Sequence, residues 1–183
     1  ELHFRDFKLI IPEALSTGNE LNIFLQDLFF NTIYFPTKDF NDLKYPFIAV
    51  ATDLSAGKSV ALASGNLLKC VRASSTMPLN YAPVRMDSMK LIDGGIMANL
   101  PVPQAINNFS PDITISIDAT SPLLSSGEIN TPLKIAEQSI TTSMRYFVEK
   151  NLELTDVIIK PKIEKYSSSD FFELGELIRA GHD

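Results

Sequence analysis

Pro46-Phe-Ile-Ala-Val-Ala-Thr-Asp53 is a continuous apolar run that ends in a turn. A chain that carries it must cover a strand on both faces, which is the habit of strands in a covered parallel sheet. Around this run, strand-like and helix-like segments alternate. Residues 58–63 add a strand across a turn at Ala56-Gly57. Helical spacing begins at Ser64, with Leu67, Leu68 and Val71 on one face, Ser64 or Asn66 available as cap, and Pro78 as a stop. Residues 81–92 read as two short extended stretches joined by a hairpin at Met86-Asp87-Ser88. Asn99-Leu-Pro-Val-Pro103 leads into a short helix.

Ile113-Thr-Ile-Ser-Ile-Asp118 is a further strand, residues 125–130 a polar surface loop, and residues 132–151 a long helix. Asp156-Val-Ile-Ile-Lys-Pro161 is a third short apolar strand, and Asp170 caps a last helix through Phe171, Leu174, Leu177 and Ile178 that Gly181 ends. This alternation predicts an α/β fold, a layered and mostly parallel sheet with helices on both faces. Neither an internal repeat nor a linker divides the sequence, so residues 1–183 read as one domain.

Near the N-terminus, Leu21, Phe24, Leu25 and Leu28 are spaced as one helical face, and Phe29, Phe30, Ile33, Tyr34 and Phe35 follow before Pro36 closes the region. Two readings fit these rings: a packed core, or a greasy wall or lid for an acyl chain.

Composition removes several function classes. Hydrophobic residues at 45% and charged residues at 21% are those of a globular protein rather than a disordered one. A formal charge of -6 repels phosphate backbones, so nucleic acid is not an expected partner. Cys70 is the single cysteine, and His3 and His182 lie at the two extremes. That leaves no intrachain disulfide, no thiolate cluster and no histidine triad embedded in the fold, and no metal or other cofactor is expected.

The informative chemistry lies at Asp93-Gly94-Gly95. An aspartate at the end of an extended segment, before two glycines, can sit on a tight turn at a sheet rim. Glycine there permits positive φ or lets another group approach the backbone. A carboxylate so placed can take a proton from a hydroxyl nucleophile or hold the group that does. Asp-Gly-Gly is also simply a good turn, and the triplet alone leaves both readings open.

Its neighbours decide between them. Phe47-Ile-Ala-Val-Ala-Thr-Asp-Leu54, Val71-Arg-Ala-Ser-Ser-Thr-Met-Pro78 and Leu91-Ile-Asp-Gly-Gly-Ile-Met-Ala-Asn-Leu-Pro-Val102 resemble, in order and spacing, three blocks of the patatin-like phospholipase family, including bacterial members related to neuropathy target esterase. The resemblance runs on through Ile117-Asp118, residues 156–161 and Asp170-Phe171 to Leu177-Ile178-Arg-Ala-Gly181. It implies a lipid acyl hydrolase working through a Ser-Asp dyad without histidine, with Asp93 as the dyad aspartate and Gly94 and Gly95 shaping its turn. Arg72, Ser74, Ser75 and Pro78 fall in the second block as packing and positioning residues. Asp118 and Asp156 flank strands and read as turn or cap residues.

The sequence departs from the family pattern at the nucleophile. No serine here has glycine two residues before and two after, so the Gly-x-Ser-x-Gly elbow is not in this chain, nor is the glycine-rich oxyanion loop that precedes it in the family. Gly57-Lys58-Ser59 resembles the end of a phosphate-binding loop, yet the earlier glycine of that motif is Thr52. These blocks precede the present segment in the family, so the chain is expected to be the C-terminal portion of a patatin-like domain, incomplete at its N-terminal side. From this follow the expectations of open strand edges beside residues 47–52 and 113–118, and of pairing with the missing half or self-association. A lipid or acyl ester substrate and peripheral membrane contact are expected, in a cytoplasmic or membrane-peripheral bacterial-type setting. The alternative is a non-catalytic patatin-like module that binds lipid or protein.

Overall fold

The computed structural model describes residues 3–5, 8–10, 13–31, 38–120, 122–163, 165–166 and 171–182. Ile33, Tyr34, Phe35, Pro36 and Asp170, to which the sequence assigned roles, lie outside the described residues. The chain falls into two compact units, Glu1–Ala98 and Asn99–Asp183. The boundary lies inside the third sequence block, between α3 and the Asn99-Leu-Pro-Val-Pro103 stretch.

The first unit begins with a short antiparallel pair, β1 (His3–Arg5) and β2 (Lys8–Ile10). Helix α1 (Asn19–Phe30) follows, entered through Gly18 at φ 76. The apolar run becomes β3 (Ala49–Asp53), every residue of which is buried. β4 (Lys58–Leu62) returns from it across a turn closed by the Gly57 N–H donating to the Asp53 carbonyl at 2.8 Å, with Gly57 at φ 63. Helix α2 (Leu67–Ser74) is capped by Asn66, whose side chain accepts the Lys69 N–H at 2.9 Å. β5 (Val84–Met86) and β6 (Met89–Asp93) form the hairpin expected around Asp87, itself left-handed at φ 51. Helix α3 (Gly95–Ala98) ends the unit.

The sheet order is β4-β3-β6-β5, and all three pairings are antiparallel. This corrects the expectation of a mostly parallel sheet. A continuous apolar run reports burial on both faces and says nothing of strand direction; the short turns at residues 54–57 and 87–88 permit only antiparallel returns for β3–β4 and β5–β6, whereas β3 and β6 are joined through β4, α2 and β5. β3 is also an interior strand, bonded to β4 along its length and to β6 over Ala51–Asp53, so the open edge expected beside it is filled there.

Ala49 and Ala51 of β3 pack under α2 with Phe40, Leu62, Leu67, Cys70, Ala73 and Leu91. Phe40, fully buried, anchors this core; withdrawing a side chain of that size from water contributes about 1.5–3 kcal/mol. Phe29 packs against the same cluster.

In the second unit, α4 (Val102–Phe109), β7 (Ile115–Ile117), α5 (Pro132–Leu152), β8 (Val157–Ile159) and α6 (Leu174–His182) follow in order. β7 and β8 pair in parallel, which the long helix between them permits. Leu100, Val102 and Val148 form its core with Leu152, and the Asn151 amide donates to the Leu100 carbonyl at 2.6 Å. Ser116 of β7 is buried while Ile115 and Ile117 are exposed. Helix α6 runs through Gly181 rather than ending there, since nothing at that position imposes positive φ. Among the described residues, no helix is long and apolar enough to cross a membrane.

Candidate active site

Asp93 closes β6, opposite Ala51 in the register with β3. Its main chain is held on both sides: the Asp93 N–H donates to the Thr76 carbonyl, and the Asp93 carbonyl accepts from the Thr52 hydroxyl, each at 2.9 Å. The side chain has little freedom either. Oδ1 accepts the Gly95 N–H at 2.7 Å, in the manner of a cap on the first turn of α3. Among the described residues, the hydrogen bond to the carboxylate is this one, to Oδ1 rather than Oδ2.

Burial raises the Asp93 pKa above the usual carboxylate value, and the Gly95 hydrogen bond only partly opposes this. An aspartate serving merely as a cap loses nothing by staying hydrated. A desolvated carboxylate with one unengaged oxygen is instead a better proton acceptor than a surface one.

The two glycines were expected to supply either positive φ or close approach. Among the described residues, the glycines with positive φ are Gly18, Gly57 and Gly65, so neither Gly94 nor Gly95 uses that freedom. Gly94 supplies the approach: a β-carbon there would lie 2.1 Å from the Val50 carbonyl oxygen. The missing side chain is what lets the Asp93 turn lie on β3.

The second block does position this turn. Arg72 is only 3% exposed, and its Nη1 donates to the Thr76 hydroxyl at 2.5 Å, while that hydroxyl donates to the Arg72 carbonyl at 2.6 Å. Thr76, fully buried, is thereby fixed, and its carbonyl holds the Asp93 amide. The Arg72 guanidinium also lies 4.9 Å from the Tyr81 ring centroid and fills the space beside Gly18, where a β-carbon would meet Nη2 at 2.0 Å. Sequence reading placed Arg72 as a packing residue but did not reveal that it is buried. Its position four residues after Leu68 on α2 was the available signal. Ser75 bonds back to the Val71 and Arg72 carbonyls and finishes the helix.

The other acidic candidates are structural. Asp118 accepts the N–H and hydroxyl of Thr120, and Asp156 accepts those of Thr114, which ties β7 to β8. Cys70 is buried, and desolvation raises its thiol pKa, the reverse of nucleophile activation. Among the described residues, no group of three or more His, Cys, Asp or Glu is arranged to hold a metal ion.

The chain carrying this fold belongs to a recognisable class. The sequence model of the patatin-like phospholipases matches residues 2–106, more than half of the chain, and the chain belongs to that family. The match covers all three blocks and ends within α4. Among relatives, uncharacterized NTE family proteins of Mycobacterium tuberculosis and Mycobacterium bovis are 36% identical over 116 residues, 63% of this chain and 30% of theirs. Lysophospholipase NTE1 of Cryptococcus neoformans is 31% identical over 113 residues, 60% of this chain and 7% of its own length. The chain therefore spans less than a third of the curated relatives it matches.

Proposed function

We propose that the whole protein hydrolyses acyl esters of lipids and that Asp93 is the base of a Ser-Asp dyad whose serine lies outside this sequence. The supporting observation is the carboxylate itself: desolvated, fixed through Thr76, Thr52 and Gly95, and with no hydrogen bond to Oδ2 from any described residue. In the proposed step, Asp93 takes the proton of a serine hydroxyl as that oxygen attacks the ester carbonyl, and returns it to the departing alcohol. Gly94 and Gly95 set the turn and carry no chemistry. The dyad requires neither metal nor organic cofactor.

Membership of a phospholipase family supports a lipid as the acyl donor. The outward side of α1 supports contact with a lipid surface, since Phe24 is 62% and Phe30 75% exposed, with Ile23 and Leu28 beside them.

The test is ester hydrolysis by the full-length protein carrying Asp93→Asn. A loss of about 10³-fold or more in kcat with an intact melting transition is expected. Undiminished turnover would remove Asp93 from the chemistry, and no turnover by the unsubstituted full-length protein would leave the non-catalytic binding module as the reading. The present chain alone should show no turnover of a p-nitrophenyl ester above an Asp93→Ala control.

A further inference from the structure

A cavity of about 480 Å³ in the second unit lies between the end of β8 and the last turns of α6, and its polar lining is dominated by cations. Among the described residues, Lys160, Lys162, Lys165 and Arg179 line it against one carboxylate, Glu176. That carboxylate is already engaged: Lys165 Nζ lies 3.0 Å from Oε2, and the Tyr166 hydroxyl donates to the same oxygen at 2.6 Å. Lys160 reaches only 3.9 Å from Asp118, an aspartate occupied by Thr120. Among the described residues Lys162 has no ion pair, and Arg179 makes no direct one but attracts Glu176 through space.

This concentration of positive charge runs against a chain whose net charge is -6, so composition does not account for it. Four cations against Glu176 and the more distant Asp118 leave an excess of positive charge whose members repel one another, and an anion entering the cavity would offset that repulsion. A carboxylate would neutralise one charge only. A phosphate monoester brings up to two charges and three acceptor oxygens, matched by the planar fork of Arg179 and the point charges of Lys160 and Lys162. The volume falls within the range of small-molecule sites, which leaves room for an organic group against Tyr166. A nucleic acid strand would meet the acidic remainder of the molecule.

We infer that this cavity binds a phosphomonoester, independently of any role of Asp93. The group could be carried by a soluble metabolite-sized molecule or by a membrane lipid, and two probes separate these sources. Glycerol 3-phosphate is titrated calorimetrically, and vesicles of phosphatidylcholine with or without phosphatidate are tested by co-flotation. Saturable, salt-sensitive binding of one or both probes is expected. Lys162→Ala and Arg179→Ala should each weaken it by about three- to tenfold. Glu176→Gln should tighten it by removing the opposing charge. Lys150→Ala, an exposed lysine on α5, is the charge-matched control and should leave binding unchanged. Melting temperatures verify that the variants, all at exposed positions, remain folded.

Glycerol 3-phosphate binding alone identifies a soluble ligand, and phosphatidate-dependent flotation alone a lipid headgroup. Absence of saturable binding to either probe would overturn the inference. So would a Lys150→Ala effect equal to that of Lys162→Ala or Arg179→Ala.

Discussion

Gly94 lies so close to Val50 that the β-carbon of any other residue would sit 2.1 Å from the Val50 carbonyl oxygen and 2.6 Å from its carbonyl carbon. Both atoms belong to the backbone of an interior strand and cannot swing aside. Gly94→Ala should therefore cost about 2–4 kcal/mol, the upper range of overpacking. Gly57 provides the comparison. It has positive φ and open space around it, so Gly57→Ala should cost only about 1 kcal/mol. Urea unfolding of the two variants measures the difference, and equal losses would mean that the Asp93 turn does not rest on β3 as described.

Asp93 should be a stability liability at neutral pH. Burial raises its folded pKa above that of the unfolded chain, so the folded state binds the proton more readily. Stability is then fullest below the ordinary carboxylate pKa and declines as pH rises through the folded value. Asp93→Asn removes the ionisation while keeping an oxygen for the Gly95 N–H. The variant should melt a few degrees higher at pH 7, and the gap should close on acidification to about pH 3–4. Stabilisation together with lost activity is the pattern expected of a functional carboxylate. A gap that stays constant across this range would contradict the burial assigned to Asp93.

Thr76 should matter through its hydroxyl. Thr76→Val keeps the shape but removes the acceptor of Arg72 Nη1 and the donor to the Arg72 carbonyl, leaving a buried guanidinium with fewer partners. A loss of about 1–3 kcal/mol is expected, with Thr76→Ser retaining most of the stability. In the full-length protein, Thr76→Val should also lower kcat with little change in KM, because the Thr76 carbonyl holds the Asp93 amide. An unchanged kcat would make the Arg72–Thr76 pair purely structural.

Much of the first unit was legible because local signals sufficed. The apolar run gave β3, Gly57 marked the return to β4, Asn66 capped α2, and Asp87 turned the β5–β6 hairpin. What escaped depended on contacts distant in sequence. Strand direction was misjudged because an apolar run is the same read either way along a neighbour. α3 was not foreseen because Asp93-Gly94-Gly95 reads as a turn until the Asp93 carboxylate is seen capping Gly95. The purpose of Gly94 emerges only with Val50 beside it, and the burial of Arg72 only with Thr76, Tyr81 and Gly18 around its guanidinium.

The rings of α1 divide where the sequence could not divide them, because the helix's apolar positions extend beyond the side that packs inward at Leu25 and Phe29. Phe29 packs against the core of the first unit, while Phe24 stands mostly in solvent. Phe29→Asp would bury a charge and should cost about 3 kcal/mol or more, so any activity change it causes reports on folding. Phe24→Asp should leave the melting temperature within a degree or two of the parent. If α1 rests on lipid, Phe24→Asp in the full-length protein should reduce hydrolysis of vesicle-borne substrate several-fold more than that of a soluble ester. The physical reason is that withdrawing an exposed ring from water contributes only where an apolar phase exists to receive it. Equal effects on the two substrates would remove α1 from the lipid-facing surface and leave Phe24 as an ordinary exposed side chain.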